Sequence, residues 1–267
     1  MSIYVSQALP LSAIPTSDAD AGIIGYKNLV TITNLTATSE ATNYPVTNLA
    51  NPSTASLWKS AITTTQYITV NVTGTADYVG IARHNLGTVQ AIVSVEAFNG
   101  TSWVEIFAEK ILSDDAPAIL RFTNTPAGGF RLKLQAASAV PQIAILYVGE
   151  LLELQRRIYV GHTPIPYGRQ TTIQSGRSEN GNFLGRVILQ ETLSSSVQLE
   201  NLTPNWYRES LDPFIIAAKT KPFFYSWRPS SYPDEVGFCW LSSDAVPVNQ
   251  RANGMMSISL ELGGFTL

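Results

Sequence analysis

Between Gln66 and Leu154 the chain keeps returning to a two-residue alternation of apolar and polar side chains, which restricts this stretch to antiparallel sheet. Gln66-Tyr-Ile-Thr-Val-Asn-Val72 puts Ile68, Val70 and Val72 on one face of a strand and Tyr67, Thr69 and Asn71 on the other. Ala91–Val95 and Trp103–Phe107 repeat the pattern on either side of Asn99-Gly100. An Asn-Gly pair between alternating runs predicts a hairpin, because both residues tolerate positive φ. Phe130–Leu134 follows Gly128-Gly129, and Ile143–Val148 adds a further strand. Strands of this length folding back on one another predict a β-sandwich, a scaffold that presents loops for binding more often than it performs chemistry.

The second half reads differently. Arg156 to Arg186 holds five arginines (Arg156, Arg157, Arg169, Arg177 and Arg186) and one acid, Glu179, among many Gly and Pro, which predicts a long connection. Arg186–Leu193 and Val197–Leu202 are expected to pair as two strands. Thr203-Pro204 offers an N-cap followed by Pro at the first helical position. Trp206, Tyr207, Leu211, Phe214, Ile215 and Ala218 then recur at helical spacing and predict one helix of about four turns. Pro222–Trp227, Val236–Leu241 and Met255–Leu262 read as strands of a sheet beneath it. Phe223, Phe224, Tyr225 and Trp227 cannot all lie on one face, so either both faces of that strand are covered or some of them await a partner. Lys27–Leu35 is expected to form a first strand. Met1 to Gly25 reads as an extended arm whose apolar residues (Ile3, Val5, Leu9, Leu11, Ile14) lie against something, the second sheet being one choice.

Composition narrows the functional classes. The charged fraction is 14%, below the roughly 25% of ordinary globular proteins. Eleven Arg stand against six Lys, a bias found at interface cores, although a Thr-rich β-protein also lowers its charge. A net charge of −3 gives no general attraction to nucleic acid or to an anionic membrane. No apolar run reaches the roughly 20 residues of a membrane span. The first ten residues have neither the basic start nor the apolar block of a secretory signal. Cys239 stands alone, which excludes an internal disulfide and most zinc sites.

Catalysis finds little support. His84 and His162 are the only histidines and are expected in different domains, and no nucleophile-elbow, zinc-helix or phosphate-loop pattern occurs. Asp114-Asp115 and Asp234-Glu235 are adjacent acids in turn-like contexts. The chain is therefore expected not to be an enzyme and to carry no cofactor and no metal. Sugar recognition needs aromatic faces beside polar groups, and Tyr44, Trp58, His84 and Trp103 are the candidates, with Trp58 foremost. For His84 and Trp103 structural roles compete: a turn hydrogen bond for the first, a strand-end core position for the second.

With these residues on the page, residues 28–154 resemble the discoidin, or coagulation-factor C-type, jelly roll. The elements are Trp58-Lys-Ser, Gln66-Tyr-Ile-Thr-Val, Val79-Gly-Ile-Ala-Arg-His-Asn-Leu-Gly87, the Asn99-Gly-Thr-Ser-Trp103 hairpin, Phe130–Leu134 and Ile145–Leu154. The His-Asn-Leu-Gly turn is similar to that of tailed-bacteriophage tail proteins. Ser175–Arg186, Trp206 with Phe214–Lys219, and Lys221–Pro229 resemble tail-tip and distal-tail components. That resemblance implies a mainly β protein: an arm (1–25), a galactose-binding, discoidin-like jelly roll (26–155), and a second β-sandwich with one packed helix, related to the tail tube (156–267). It implies a structural virion protein of a phage tail tip or baseplate, made in the host cytoplasm. Copies would join into a ring (trimer or hexamer) through the second domain, beside other tail proteins, with the jelly roll stabilising the tip or touching host glycans. The five arginines would then form ion pairs across subunits, with neither membrane insertion nor specific nucleic-acid binding. The order of the domains departs from the usual distal-tail arrangement, in which the ring domain comes first. A free carbohydrate-binding, lectin-like protein is the alternative.

Overall fold

A computed structural model describes residues 2–5, 20–135, 137–158, 161–250, 252 and 254–265. Its strands in chain order are β1 (Ser2–Val5), β2 (Ile23–Gly25), β3 (Leu35–Ala37), β4 (Trp58–Lys59), β5 (Gln66–Val70) and β6 (Gly74–His84). β7 (Ile92–Phe98), β8 (Trp103–Ile111), β9 (Ala118–Ala127), β10 (Phe130–Gln135), β11 (Gln142–Gly149) and β12 (Leu152–Glu153) follow. The remainder are β13 (Arg169–Arg177), β14 (Phe183–Leu202), β15 (Phe223–Ser226), β16 (Val236–Leu241), β17 (Val248–Asn249) and β18 (Met256–Gly264). Consecutive helical segments Pro204–Trp206, Tyr207–Leu211 and Asp212–Ala218 form one helix, α1, whose middle segment is wound as a wider π-type turn. No helix among the described residues is long and apolar enough to cross a membrane.

The fold is mainly β, as the alternation requires. An outer sheet, β3-β5-β10-β7-β8, faces an inner sheet, β1-β9-β6-β11-β4. Ile68, Val70, Val95, Phe130 and Leu132 from the first close on Val79, Ile81, Leu120, Leu146 and Val148 from the second. The expected strands are present, and the Asn99-Gly100 hairpin joins β7 to β8 with Gly100 at φ 97°. Lys27–Leu35 is not a strand. Side-chain hydrogen bonds hold it in turns: Val30 N donates to Asn28 Oδ1 (3.0 Å) and Thr31 N to Asn34 Oδ1 (2.9 Å).

The second unit is one sheet, β12-β2-β15-β16-β18-β14-β13 with β17 beside β18, rather than a sandwich of its own. The arm expected over residues 1–25 is divided between the two units: β1 pairs in parallel with β9 of the jelly roll, and β2 sits between β12 and β15 of the second sheet. Leu9, Leu11 and Ile14 lie outside the described residues. One face of the second sheet is covered by α1, where Tyr207, Leu211, Phe214, Ile215 and Ala218 pack on Leu199, Phe223, Tyr225 and Leu260. Thr203 does not cap this helix with its side chain. Gln155 holds it from both sides instead, donating to Thr203 Oγ1 and accepting from Thr203 N, each at 2.8 Å.

The opposite face of β2, β15 and β16 lies on the inner sheet of the jelly roll. Ile23, Phe224, Val236 and Phe238 meet Tyr78, Ala82, Ile119, Ala144, Ile145 and Tyr147 in a third apolar layer. Both faces of β15 are thus covered: Phe223 and Tyr225 turn to α1, Phe224 to the jelly roll. Two glycines permit the close approach. A Cβ at Gly80 would stand 2.6 Å from the Phe224 ring, and one at Gly25 2.7 Å from the Tyr78 ring. Each unit keeps an apolar core of its own, and the third layer joins them, giving four stacked layers: outer sheet, inner sheet, second sheet, helix.

Phe224→Ala is expected to lower global stability by about 3–5 kcal/mol in denaturant unfolding, because it empties the middle of that shared layer. Gly80→Val should destabilise the wild type more than it destabilises the Phe224→Ala chain. Equal costs in the two backgrounds would show that the ring and the glycine do not meet.

Candidate functional site

The four candidate sugar-binding residues do not converge. Tyr44, Trp58 and His84 gather at one end of the jelly roll, where Ile143 of β11 pairs with both Trp58 and His84. Trp103 lies at the other end, beside Phe98 at 5.4 Å between ring centroids. Trp58 is wholly buried in the core and offers no face to a ligand. Its polar surroundings are a lid: Trp58 Nε1 donates to Ser39 O (3.1 Å), and Ser39 Oγ in turn donates to Gln66 Oε1 (2.7 Å). His84 is also buried. Leu86 N donates to its Nδ1 (3.2 Å), so Nε2 carries the proton and donates to Ala116 O (3.0 Å). Burial pushes its pKa down to about 4, and the ring serves as a neutral brace for the His-Asn-Leu-Gly turn. Tyr44 is exposed, with the Lys59 ammonium 5.9 Å from its ring centroid. Trp103 is half-buried, and the Arg131 guanidinium lies 4.4 Å from its ring centroid and 4.2 Å from that of Tyr67, paired to Glu96.

Near Trp103 an open cleft of about 520 Å³ runs between the loops at residues 73–75, 98–100 and 126–128. Phe98, Pro126 and Ala127 give it apolar walls, Thr73, Thr75 and Asn99 its polar edge, and no charged residue lines it.

The second notable feature is the pairing of β13 with the first half of β14. Only turn-rich connection was expected over residues 156–186, but Gln170–Ser175 pairs with Arg186–Thr192 as a two-stranded ribbon. The two strands expected at Arg186–Leu193 and Val197–Leu202 are one strand of 20 residues, because Ser194, Ser195 and Ser196 stay paired with Gly263, Leu262 and Glu261 of β18 instead of turning. Its second half pairs with β18 inside the sheet, while its first half pairs, among the described residues, with β13 alone. The ribbon is an arm projecting past the sheet, and every residue of β13 is exposed. Phe183, Leu184, Val187, Ile188 and Leu189 keep 60–67% of their surface exposed, and Ile173 keeps 37%. Arg169, Arg177 and Arg186 stand on this arm, exposed, and form no ion pair with any described residue. Arg156 and Arg157 lie apart from it near the helix entry, Arg156 Nε donating to Asn201 O (3.3 Å). The arginines are visible in the sequence by charge, whereas the apolar residues are divided there between the expected connection (Phe183, Leu184) and the expected strand from Arg186 (Val187, Ile188, Leu189), so they do not stand out as one exposed run.

Ser195 and His162 meet at the root of the arm, with Oγ 3.4 Å from Nδ1. The pair is not arranged for nucleophilic attack. Ser195 Oγ donates to Thr163 O, His162 Nδ1 lies 3.1 Å from Ser196 O, and burial lowers the histidine pKa. The Asp115 carboxylate is taken up by Thr88 N (2.9 Å) and Thr88 Oγ1 (2.5 Å), and Asp114 Oδ1 accepts from Ala116 N (3.0 Å). Among the described residues no group of three or more His, Cys, Asp or Glu could hold a metal ion.

No family model matches the chain, and no curated protein matches it. Solved structures do. Chitosan-binding module 1 of a Paenibacillus sp. IK-5 chitosanase/glucanase is 19% identical, with 46% of this chain and 98% of that one covered and a TM-score of 0.41. A family 32 carbohydrate-binding module of NanJ from Clostridium perfringens, solved with galactose, is 17% identical over 45% of this chain and 96% of its own, with a TM-score of 0.39. A second Clostridium perfringens module, in complex with GalNAc-β-1,3-galactose, is 18% identical over 46% and 99%, also with a TM-score of 0.39. Each is a likeness of fold over less than half of this chain.

His84 makes stability depend on pH in a defined window. Its folded pKa, about 4, lies below the ordinary histidine value of 6.5, so between those values the unfolded chain binds the proton that the folded chain refuses. Its contribution is complete above pH 6.5 and is lost as the pH falls toward 4. The stability difference between wild type and His84→Gln should therefore narrow by roughly 3 kcal/mol across that window. A difference constant with pH would show that the ring is not held neutral.

Proposed function

We propose that this chain is a structural assembly protein that joins other copies of itself through the β13–β14 arm and displays the jelly roll away from the junction. The observation that carries this reading is the arm. Among the described residues it is a ribbon of two strands with no third strand and no core residue, yet it exposes six large apolar side chains and three arginines without ion-pair partners. A lone two-stranded hairpin is marginal in water, and a contiguous exposed apolar patch marks an interaction surface. Arginine beside apolar residues in a chain of low charge matches the composition of interface cores. In its finer form the assembly is a ring at the tip or baseplate of a bacteriophage tail, as the resemblance of residues 175–186 and 206–229 implies. Chains carrying Phe183→Ser, Leu184→Ser and Ile188→Ser should keep their fold and melting temperature but lose self-association in native mass spectrometry. Undiminished oligomers in that variant would remove the arm from the assembly.

A second reading, carbohydrate binding by the jelly roll, rests on the cleft beside Trp103. Apolar walls edged by uncharged hydrogen-bonding groups suit the flat face of a neutral sugar ring. Gly128 is exposed beside Phe98, so Gly128→Glu would place a charged side chain in the cleft while leaving the core alone. Titration with a panel of neutral oligosaccharides should show binding that this variant loses. A wild-type chain that binds none of them contradicts the reading.

A further inference from the structure

We infer that the arm of one copy docks on the uncovered half of the second sheet of another, on a face made by Trp240, Val248, Ser259 and Glu261. This rests on the assembly reading above and names the surface that the arm meets.

Among the described residues the jelly roll covers only β2, β15 and β16, and on the same face of β14, β17 and β18 Gln198, Val248, Ser259 and Glu261 are exposed. Register fixes what stands there. Glu261 pairs with Ser196, Ser259 with Gln198, Val248 with Ser257 and Trp240 with Gly263, which puts all eight positions on one side of the sheet. Leu260 and Leu262 point the other way, into the helix-side core. Trp240 keeps 42% and Val248 57% of its surface exposed, although both sit in paired strands. The Trp240 indole lies against its own sheet, since a Cβ at Gly263 would meet its Nε1 at 2.5 Å. Its outer face is therefore free to receive a partner. Glu261 accepts from Ser196 Oγ (2.7 Å) and Ser259 Oγ (3.3 Å), which fix the carboxylate in place without neutralising it, and no described cation pairs with it.

The arm supplies the complement. Ile173 pairs with Ile188 and Ser175 with Arg186, so one side of the ribbon carries two isoleucines and an arginine. Apolar side chains meet Trp240 and Val248, and the guanidinium meets the carboxylate, so that neither charge is desolvated without its opposite. The two surfaces are different patches of one chain. The contact is consequently head-to-tail, and repeating it either closes a ring or extends a filament.

A charge exchange in the full-length protein tests the contact. Arg186→Glu and Glu261→Arg should each weaken self-association at least tenfold, read by native mass spectrometry and light scattering over a concentration series at low salt. The Arg186→Glu/Glu261→Arg chain should regain most of it, with unchanged circular dichroism in all three variants. Trp240→Ala should weaken association without any charge change. The docking site is overturned if Glu261→Arg or Trp240→Ala associates like the wild type, or if the double variant stays as weak as Arg186→Glu. Those outcomes leave the arm's own role standing, because its apolar substitutions test that separately. A wild-type chain that stays monomeric at every concentration overturns both.

Discussion

The contact between Phe224 and Gly80, with Tyr78 set against Gly25 beside it, decides how everything else in this molecule is placed. Each ring occupies space that any side chain larger than hydrogen at the opposing glycine would fill. The inner sheet of the jelly roll is thereby laid directly on the second sheet, and the two are buried as one apolar layer. Burying a phenylalanine contributes on the order of 1.5–3 kcal/mol, and Tyr78, Ile145, Tyr147 and Phe238 add to the same layer. Polar links reinforce it at the junction. Leu151 N donates to Asp77 Oδ1 (2.8 Å), while Arg121 pairs with Glu153 and Lys27 with Glu150. Burial raises the Asp77 pKa to about 6, so that carboxylate braces the link between the units rather than standing ready in a cleft.

The position of this layer also determines what stays uncovered. Because the jelly roll reaches only as far as β16, the β14–β18 half of the sheet faces water on that side, and the first half of β14 continues past its last in-sheet neighbour. The arm makes no contribution to any of the three apolar clusters through residues 169–192. Its apolar surface is thus a cost to the isolated chain that no described residue offsets. On the proposed assembly reading a second copy removes that cost, and the exposed arginines among the apolar residues give the contact direction.

Local pattern carried much of the fold. Strict alternation located β5, β7, β10, β11, β16 and β18, and helical spacing located α1. The run Phe223–Trp227 left a choice between covering on both faces and a waiting partner, and the structure shows the first. What stayed hidden depended on partners far away in sequence. β2 is three residues long and becomes a strand only by lying between β12 and β15. Trp58 looked exposed because Lys59 and Ser60 flank it, yet Ser39, Ser60 and Gln66 close a hydrogen-bonded cover over its ring. Residues 170–175 lack the hydrophobicity of a core strand, so their pairing with β14 left no signature beyond Thr and Ile content. Of the proposed assembly surface the arginines stand out by charge, whereas Phe183 and Leu184 fall in the expected connection and Val187, Ile188 and Leu189 in an expected strand pair.

Hydrogen exchange followed by mass spectrometry across a dilution series gives the most direct test of the arm as an assembly element. Amides of residues 170–176 and 184–192 should exchange rapidly in dilute protein and become protected as concentration rises, while β5, β11 and β18 stay protected throughout. Exchange in the arm that is independent of concentration, whether fast or slow, would contradict the account.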